Sequence, residues 1–214
     1  MLTLYGYWRS SAAYRVRIAL NLKQLPHQHK SIHLVKDGGQ QHSAQYKQLN
    51  PNELVPTLVD GDMVINQSLA IIDYLDEKYP KVPLYPSDLT GRTAVKALAY
   101  DIACDIHPLN NLRVLQYLSQ SMGVSDQQKS DWYCHWIEQG FSALEQRLSQ
   151  CAGKFCYRDT PSVADLCLIP QIYNAKRFNV DMSAYPTITR IAENCASLQA
   201  FIDAEPEQQA DANS

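Results

Sequence analysis

The stretch that decides the fold of the N-terminal part covers residues 2–22, LTLYGYWRSSAAYRVRIALNL. Its first four residues alternate in the way that is typical of a short β-strand. Ser10 and Ser11 then precede a helical pattern of apolar residues that ends near Lys23, and serine is a preferred residue at the start of a helix. The stretch therefore predicts a strand that is followed directly by a helix.

The remainder of the first 80 residues continues this alternation. Residues 29–35 have the pattern of a second strand, and the polar residues 36–48 predict a loop with a short helix. Two apolar runs flank Asp60-Gly61, which is a strong hairpin signal, and Gln67-Ser68 opens another helix. A helical crossover makes the first two strands parallel, whereas the tight turn makes the last two antiparallel. We therefore predict a thioredoxin-like α/β domain over residues 1–81, with the order β-α-β-α-β-β-α.

Prolines at positions 80, 83 and 86 indicate a linker, and the chain beyond it has an almost wholly helical pattern. Two long helices are predicted over 90–119 and 126–151, and a last one over 186–203. Ser162 and Asp165 have the spacing of a capping box. The pattern predicts an all-α domain over 87–205, followed by a polar, disordered tail over 206–214.

Composition restricts the class of partner. The chain of 214 residues has a formal net charge of −3, which argues against nucleic acid as the main partner. Its charges are uneven, since six basic residues precede the first acidic residue, Asp37. This distribution is compatible with a small anionic ligand, although a chance run of solvated charges is the simpler explanation.

The six cysteines all lie beyond residue 103, and their spacing matches no metal-binding pattern. The N-terminus has no signal-peptide pattern, and no apolar run is long enough to span a bilayer. These features predict a cytoplasmic protein that has free thiols, no bound metal and no membrane partner.

The two helix starts are candidate anion sites. A serine at a helix N-terminus is ordinarily explained by capping, but Ser10 and Ser11 together exceed what a cap needs. A helix N-terminus also stabilises anions, and a hydroxyl there could donate a hydrogen bond to a thiolate supplied by a ligand. Gln67 and Ser68 repeat this arrangement and could bind a carboxylate, with helix capping as the alternative.

Four further positions have both a structural and a functional interpretation. Pro56 is tolerated as the first residue of a strand, but a cis Val55–Pro56 bond would turn the Val55 backbone toward an extended peptide ligand. Arg177 near a helix C-terminus is ordinarily explained by its favourable interaction with the helix dipole. Arginine is also the preferred bidentate ligand of a carboxylate, and this applies both to Arg177 and to Arg9, which precedes Ser10. His107 is explained most simply as a structural histidine, with a catalytic base as the alternative.

The segment Ser10–Leu20 closely resembles the signature of zeta-class glutathione transferases, a family that includes maleylacetoacetate and maleylpyruvate isomerases. Other segments match in order and spacing, and the resemblance covers residues 3 to about 201. The matching segments are Lys36–Gln41, Leu49–Pro51, Val55–Leu58, Gln67–Ile72, Ala164–Gln171 and Tyr185–Ile188. The resemblance implies the glutathione-transferase architecture, a homodimer and glutathione as cofactor.

The resemblance also implies roles for individual residues. Ser10 becomes the catalytic serine with Ser11 beside it, and Pro56 becomes cis, with Val55 as a backbone partner of glutathione. Gln67 and Ser68 would bind the γ-glutamyl carboxylate, while Lys36 and Gln41 would lie at the glycine end. The substrate-binding candidates are Arg9, His107, Asn111 and Arg177.

The activity implied by the resemblance is the glutathione-dependent conversion of maleylacetoacetate to fumarylacetoacetate, a step of phenylalanine and tyrosine catabolism. Its substrate is a small dianion. The alternatives are maleylpyruvate isomerisation, glutathione transfer to small α-haloacids, and a glutathione-binding module without activity. The chain departs from many members of the family because Ala12 stands where they have a cysteine, so a cysteine there is not required for activity.

Overall fold

The computed structural model describes residues 1–212 and divides into two compact units. The first unit comprises Met1–Leu84 together with the chain from Ala196 onward, and the second comprises Tyr85–Cys195. No helix among the described residues is long and apolar enough to cross a membrane. Within the same residues, no group of three or more His, Cys, Asp or Glu side chains is placed to hold a metal ion.

The first unit is built on a four-stranded mixed sheet, and its topology confirms the thioredoxin-like prediction. The strands are β1 (Leu2–Gly6), β2 (His27–Ser31), β3 (Thr57–Asp60) and β4 (Met63–Asn66). Their order is β2-β1-β3-β4, with β1 and β2 parallel and the other two pairs antiparallel. The second strand covers 27–31 rather than the predicted 29–35, because its ladder with β1 ends where Gly6 pairs with Ser31.

The register brings four connections to one edge of the sheet. Tyr5 pairs with Thr57, and Thr57 pairs with Asn66. The chain just beyond this row is the loop after β1, the Val55–Pro56 segment before β3 and the start of the helix after β4. Because β2 is parallel to β1, the loop after Ser31 leaves at the same edge.

The helices of the first unit pack around an apolar core. They are α1 (Ser11–Leu22), α2 (Ala44–Leu49) and α3 (Ser68–Lys78), with short 3-10 turns at Lys36–Gly38 and Gln40–His42. Helices α1 and α3 pack against each other, and both contribute fully buried side chains. At the end of α1, the buried ammonium group of Lys23 donates to Asp76 at 2.8 Å and to the carbonyls of Tyr79 and Val82 at 3.0 and 2.6 Å. These three acceptors offset the cost of burying the charge.

The second unit contains only helices as regular elements, as predicted. They are α4 (Leu89–Tyr100), α5 (Leu112–Gln120), α6 (Asp126–Cys151), α7 (Val163–Arg177) and α8 (Pro186–Ala196). The single helix predicted over 90–119 is divided by a π-helical turn at Asp101–Ile106 and a 3-10 turn at His107–Asn110. Pro108 accounts for part of this interruption, because it has no backbone N–H and cannot continue the helix.

The predicted capping residue Asp165 lies at the start of α7 and is fully buried. Its carboxylate accepts the backbone N–H of Cys156 and of Ser162, each at 2.8 Å, and the Ser162 hydroxyl at 2.9 Å. Burial raises the pKa of Asp165, and these hydrogen bonds act in the opposite direction. Asp165 thus joins the loop before α7 to the first turn of that helix.

The C-terminal segment differs from the sequence prediction. The helix predicted over 186–203 ends at Ala196, and a separate short helix α9 (Gln199–Ile202) belongs to the first unit. Residues 206–212, predicted to be disordered, contain a 3-10 turn at Pro206–Gln208 and the buried Asp211. The predicted end of the all-α domain at residue 205 is therefore corrected to Cys195. The residues that follow belong to the first unit because hydrogen bonds join them to it. Residues 213–214 of the predicted tail lie outside the described residues.

We expect Asp165→Ala to lower the free energy of unfolding by about 3 kcal/mol or more, because three buried donors lose their acceptor. Chemical denaturation measures this change. Asp181→Ala is the matched control, since Asp181 is also an N-terminal cap but is exposed and accepts one N–H, from Ser183 at 2.9 Å. We expect the control to lower the free energy of unfolding by much less, because the N–H partner of the exposed Asp181 can bond to water instead. Equal losses in the two variants would contradict the role given to burial.

Candidate active site

The loop after β1 leads into α1 through Ser10, which is its N-cap. The Ser10 hydroxyl oxygen accepts the N–H of Ala13 at 3.2 Å, and the Ser10 N–H donates to the carbonyl of Tyr7 at 2.9 Å. The capping interpretation is therefore correct for Ser10. It does not consume the hydroxyl proton, since the oxygen acts as acceptor in this bond and the O–H can still donate.

The structure distinguishes the two serines. Ser10 is partly exposed, whereas Ser11 is the first helical residue and is buried. Ala12 has a backbone N–H without a hydrogen-bond partner in residues 1–212. The first turn of α1 also lacks an acidic side chain. Ser10 is thus the better placed of the two to donate to an anion at this helix N-terminus.

The Val55–Pro56 peptide bond is cis, as the resemblance implied. Within the described chain, neither the N–H nor the C=O of Val55 has a hydrogen-bond partner. The preceding carbonyl, that of Leu54, accepts the Tyr46 hydroxyl and the Asn50 amide, both at 2.7 Å. This support holds the segment in place while the Val55 backbone groups remain available to an extended ligand.

The start of α3 provides a second set of donors. Gln67, with a φ of 70°, is the N-cap, so Ser68 is the first helical residue rather than the cap that its sequence position suggested. The backbone N–H groups of residues 68–70 make no hydrogen bond to other residues of the described range. Three N–H groups at a helix N-terminus form a suitable site for a carboxylate.

Arg15 is a residue beside the start of α3 that sequence reasoning left unassigned. It lies on α1, is 2% exposed, and donates through Nη1 to the hydroxyl oxygen of Ser68 at 3.2 Å. Its Nε and Nη2 atoms are buried without a partner among residues 1–212. A buried guanidinium with two nitrogens that lack an acceptor is costly, and its charge raises the positive potential at the start of α3. The acid-free N-terminal stretch contained this signal, but spacing alone did not connect Arg15 to Ser68.

The loop after β2 carries Lys36 and Gln41. Lys36 is exposed, and its ammonium group has no partner within residues 1–212. Gln41 is buried, with Nε2 donating to the carbonyl of Leu34 at 3.2 Å. Gly39 has a φ of +99°, and a Cβ there would lie 2.5 Å from the Gln41 side chain. Gln41 therefore braces the loop from within, whereas Lys36 presents a cation on its surface.

Arg9 precedes Ser10 in the loop after β1. Its side chain is partly exposed, and its guanidinium lies 5.2 Å from the centre of the Trp8 ring. This contact is a cation–π interaction, which restricts the arginine without neutralising its charge. The charge remains able to attract a carboxylate.

In the second unit, the 3-10 turn at His107–Asn110 is held against α6. The indole N–H of Trp132 donates to the carbonyl of Leu109 at 2.9 Å, and the Asn110 amide donates to the carbonyl of Tyr133 at 3.0 Å. Asn111 follows as the N-cap of α5, where its side-chain oxygen accepts the N–H of Arg113 at 3.2 Å. The Asn111 carboxamide N–H₂ remains able to donate.

Arg177 is the last residue of α7 and is exposed, so the dipole interpretation applies to it. Its guanidinium lies 5.1 Å from the centre of the Phe178 ring, and that ring stacks on Tyr133 at 3.6 Å. Because α6 contacts both segments through consecutive residues, the structure brings His107, Asn111 and Arg177 to the same part of the second unit.

Comparison with known proteins agrees with this geometry. A model of the glutathione S-transferase N-terminal domain matches residues 4–83. A probable maleylacetoacetate isomerase of Vibrio cholerae is 56% identical, over 99% of this chain and 98% of that protein. A maleylpyruvate isomerase of Ralstonia is 43% identical, over 97% and 98%.

Solved structures give the same result. The holo structure of a maleylpyruvate isomerase, described as a bacterial zeta-class glutathione transferase, superposes with a TM-score of 0.94 at 43% identity, covering 98% of this chain and 99% of that one. A maleylacetoacetate isomerase from Methylobacterium extorquens with bound malonate and glutathione also gives 0.94, at 41% identity and 99% and 100% coverage. The chain belongs to the zeta-class glutathione transferase family, which includes the maleylacetoacetate isomerases.

Proposed function

We propose that this chain is a glutathione-dependent cis-trans isomerase that converts maleylacetoacetate to fumarylacetoacetate, with maleylpyruvate as the alternative substrate. The observation that carries the proposal is a set of groups at one edge of the sheet that remain able to bind a ligand within residues 1–212. They are the Ser10 O–H, the N–H and C=O of Val55, and the N–H groups at the start of α3. Relatives that bear the names of both isomerases support it.

The residues at this edge fit glutathione. The N–H groups of residues 68–70, supported by Arg15, would bind the γ-glutamyl carboxylate, with Gln67 and Ser68 beside it. The N–H and C=O of Val55 would pair with the cysteinyl unit, and Lys36 would attract the carboxylate at the glycine end. Gln41 would contribute by holding the loop that carries Lys36. The Methylobacterium relative, whose structure contains bound glutathione, supports glutathione as the ligand of this site.

When bound, glutathione would supply the nucleophilic thiolate for a reversible addition to the cis double bond of the substrate, which would permit rotation about that bond and return glutathione unchanged. Ser10 would stabilise the anionic sulfur by donating a hydrogen bond from its hydroxyl group, while the N-terminus of α1 adds a favourable dipole. Each unit by which the thiol pKa falls corresponds to about 1.36 kcal/mol of preferential stabilisation of the thiolate.

Arg9 and Arg177 would each bind one carboxylate of the dianionic substrate. Arginine suits this role because its planar guanidinium forms two parallel hydrogen bonds to a carboxylate. His107 and Asn111 would add polar contacts to the substrate. Holding the two ends of the substrate keeps the reacting carbon atom positioned while the central bond rotates.

The setting of the enzyme is part of the proposal. We infer a cytoplasmic enzyme of phenylalanine and tyrosine catabolism that acts as a homodimer. The six free cysteines support a reducing compartment, and the match to maleylacetoacetate isomerases supports the pathway.

Ser10→Ala is expected to lower kcat for isomerisation by about 100-fold, because the thiolate loses its hydroxyl donor. The pKa of the bound glutathione thiol should rise by about one to two units. Turnover and the ultraviolet absorbance of the bound thiolate as a function of pH measure these effects. Ser125→Ala is the matched control, since Ser125 also caps a helix with an N–H···O distance of 3.2 Å. Unchanged turnover in Ser10→Ala would remove Ser10 from the mechanism.

Arg177→Ala is expected to raise KM for the maleyl substrate by about tenfold, because one charge-assisted pair is lost, and to leave KM for glutathione unchanged. Steady-state kinetics with each substrate varied in turn measures both constants. Lys176→Ala is the control, because Lys176 is a neighbouring exposed cation at the same end of α7. An equal effect of both substitutions would show that Arg177 acts only through the charge at the end of the helix.

Arg15→Met is expected to raise KM for glutathione by about tenfold, because the start of α3 loses a buried positive charge. Its kcat at saturating glutathione should change much less. Isothermal titration with glutathione provides the direct measurement, and urea denaturation shows whether the variant remains folded. A folded variant with unchanged glutathione affinity would exclude Arg15 from the binding site.

Stoichiometry separates isomerisation from glutathione transfer to a haloacid. Isomerisation leaves the thiol concentration constant while the ultraviolet spectrum of the substrate changes, whereas transfer consumes one thiol per turnover. The same assay with maleylacetoacetate and maleylpyruvate in turn identifies the preferred substrate. Glutathione binding without turnover of any of these compounds would indicate a binding module instead.

A further inference from the structure

The C-terminal segment, residues 196–212 of the first unit, reaches the loop that carries Arg9 and Ser10. Asp211 is only 6% exposed. Its Oδ2 atom accepts the backbone N–H of Trp8 at 3.1 Å and the hydroxyl of Ser31 at 2.7 Å. A carboxylate is costly to bury unless it accepts hydrogen bonds, and these two donors come from the loop after β1 and the end of β2.

Arg17 holds the same loop from the side of α1. Its buried guanidinium donates through Nη2 to the carbonyl of Trp8 at 2.9 Å and through Nη1 to that of Tyr7 at 3.4 Å. Its Nε donates to the carbonyl of Ala204 at 3.0 Å. A single side chain therefore joins the loop, helix α1 and the C-terminal segment.

The two side chains fix consecutive residues of the backbone. Asp211 binds the N–H of Trp8, and Arg17 binds its C=O together with the C=O of Tyr7. The Tyr7 carbonyl also accepts the N–H of Ser10 at 2.9 Å. The backbone that positions the Ser10 hydroxyl is thus directly continuous with the backbone that Asp211 and Arg17 hold.

We propose that Asp211 and Arg17 form a C-terminal clamp, a pair of positioning residues that set the Ser10 hydroxyl for catalysis. This inference rests on the proposed function of Ser10. Displacement of a catalytic group by about 1 Å can reduce turnover by about 100-fold, so a loop fixed at both its N–H and C=O groups has a kinetic value beyond stability. The C-terminal segment is then a functional part of the first unit.

The test compares four forms of the full chain: wild type, Asp211→Ala, Asp211→Asn and Asp203→Asn. Asp203 is the matched control, because it lies on the same segment and is exposed, and because its carboxylate accepts only the Gln199 amide within residues 1–212. The Asp211→Asn substitution retains an oxygen that can accept the Trp8 N–H and so serves as the conservative variant. All forms are assayed well below their unfolding temperatures, so that only folded protein contributes.

We expect Asp211→Ala to lower kcat by about tenfold and to raise the pKa of the bound glutathione thiol, with Asp211→Asn intermediate and Asp203→Asn like wild type. A merely structural role would lower the unfolding temperature without moving that pKa. Unchanged kcat and thiol pKa in folded Asp211→Ala would overturn the proposal, as would an equal loss in Asp203→Asn.

A double-mutant cycle isolates the connection to Ser10. In the Ser10→Ala background, we expect Asp211→Ala to reduce kcat by less than about twofold, because the hydroxyl that the clamp positions is already absent. An undiminished tenfold loss in that background would show that the clamp does not act through Ser10. Failure of the proposed function is separately recognisable, because wild-type protein would then lack isomerase activity or Ser10→Ala would retain it.

Discussion

The pairing of Tyr5 with Thr57, and of Thr57 with Asn66, is the constraint on which the site depends. Because β1 is antiparallel to β3 and parallel to β2, this register places the last residues of β1, β2 and β4 and the first residue of β3 at the same edge. The two helix N-termini and the Val55 backbone are brought together by strand order, not by proximity in the chain. Shifting the pairing of β3 by one residue would turn its buried face outward and displace Val55.

Two classes of interaction then keep the edge in position. Within the sheet, the Thr57 hydroxyl links the Tyr46 ring and the Asn66 side chain at 3.0 and 2.8 Å. Around the sheet, two buried cations hold neighbouring segments together through hydrogen bonds. Lys23 does so at the end of α1, and Arg17 does so at the loop after β1. Each of these cations reaches at least three acceptors, which is how a charge is retained in an interior. Arg15 is the exception, with two guanidinium nitrogens left without a protein acceptor in the described chain. A ligand carboxylate would compensate part of this cost.

The predictions that succeeded depended on local signals. Hydrophobic alternation, the Asp60-Gly61 turn and the proline-rich linker determine elements from adjacent residues, so the directions of the first and last strand pairs followed from them. The capping residues Ser10 and Asp165 were recognisable because a helix start has its own residue preferences. The errors came where long-range contacts decide, as in the 206–212 segment, whose polar composition indicated disorder. Asp211 holds this segment in place through hydrogen bonds to Trp8 and Ser31, which are 203 and 180 residues away in the chain.

The sequence by itself determined the two-part organisation, the order of strands and helices, and the residue types that can bind a thiolate and carboxylates. Through its resemblance to zeta-class enzymes it also indicated Ser10, Val55 and Ser68. Only the tertiary structure decided that Ser10 is more accessible than Ser11, that Gln67 rather than Ser68 caps α3, and that the C-terminal segment returns to the first unit. The physical reason is that capping, burial and hydrogen bonding of these groups depend on neighbours that approach in space, and a sequence pattern records only neighbours along the chain.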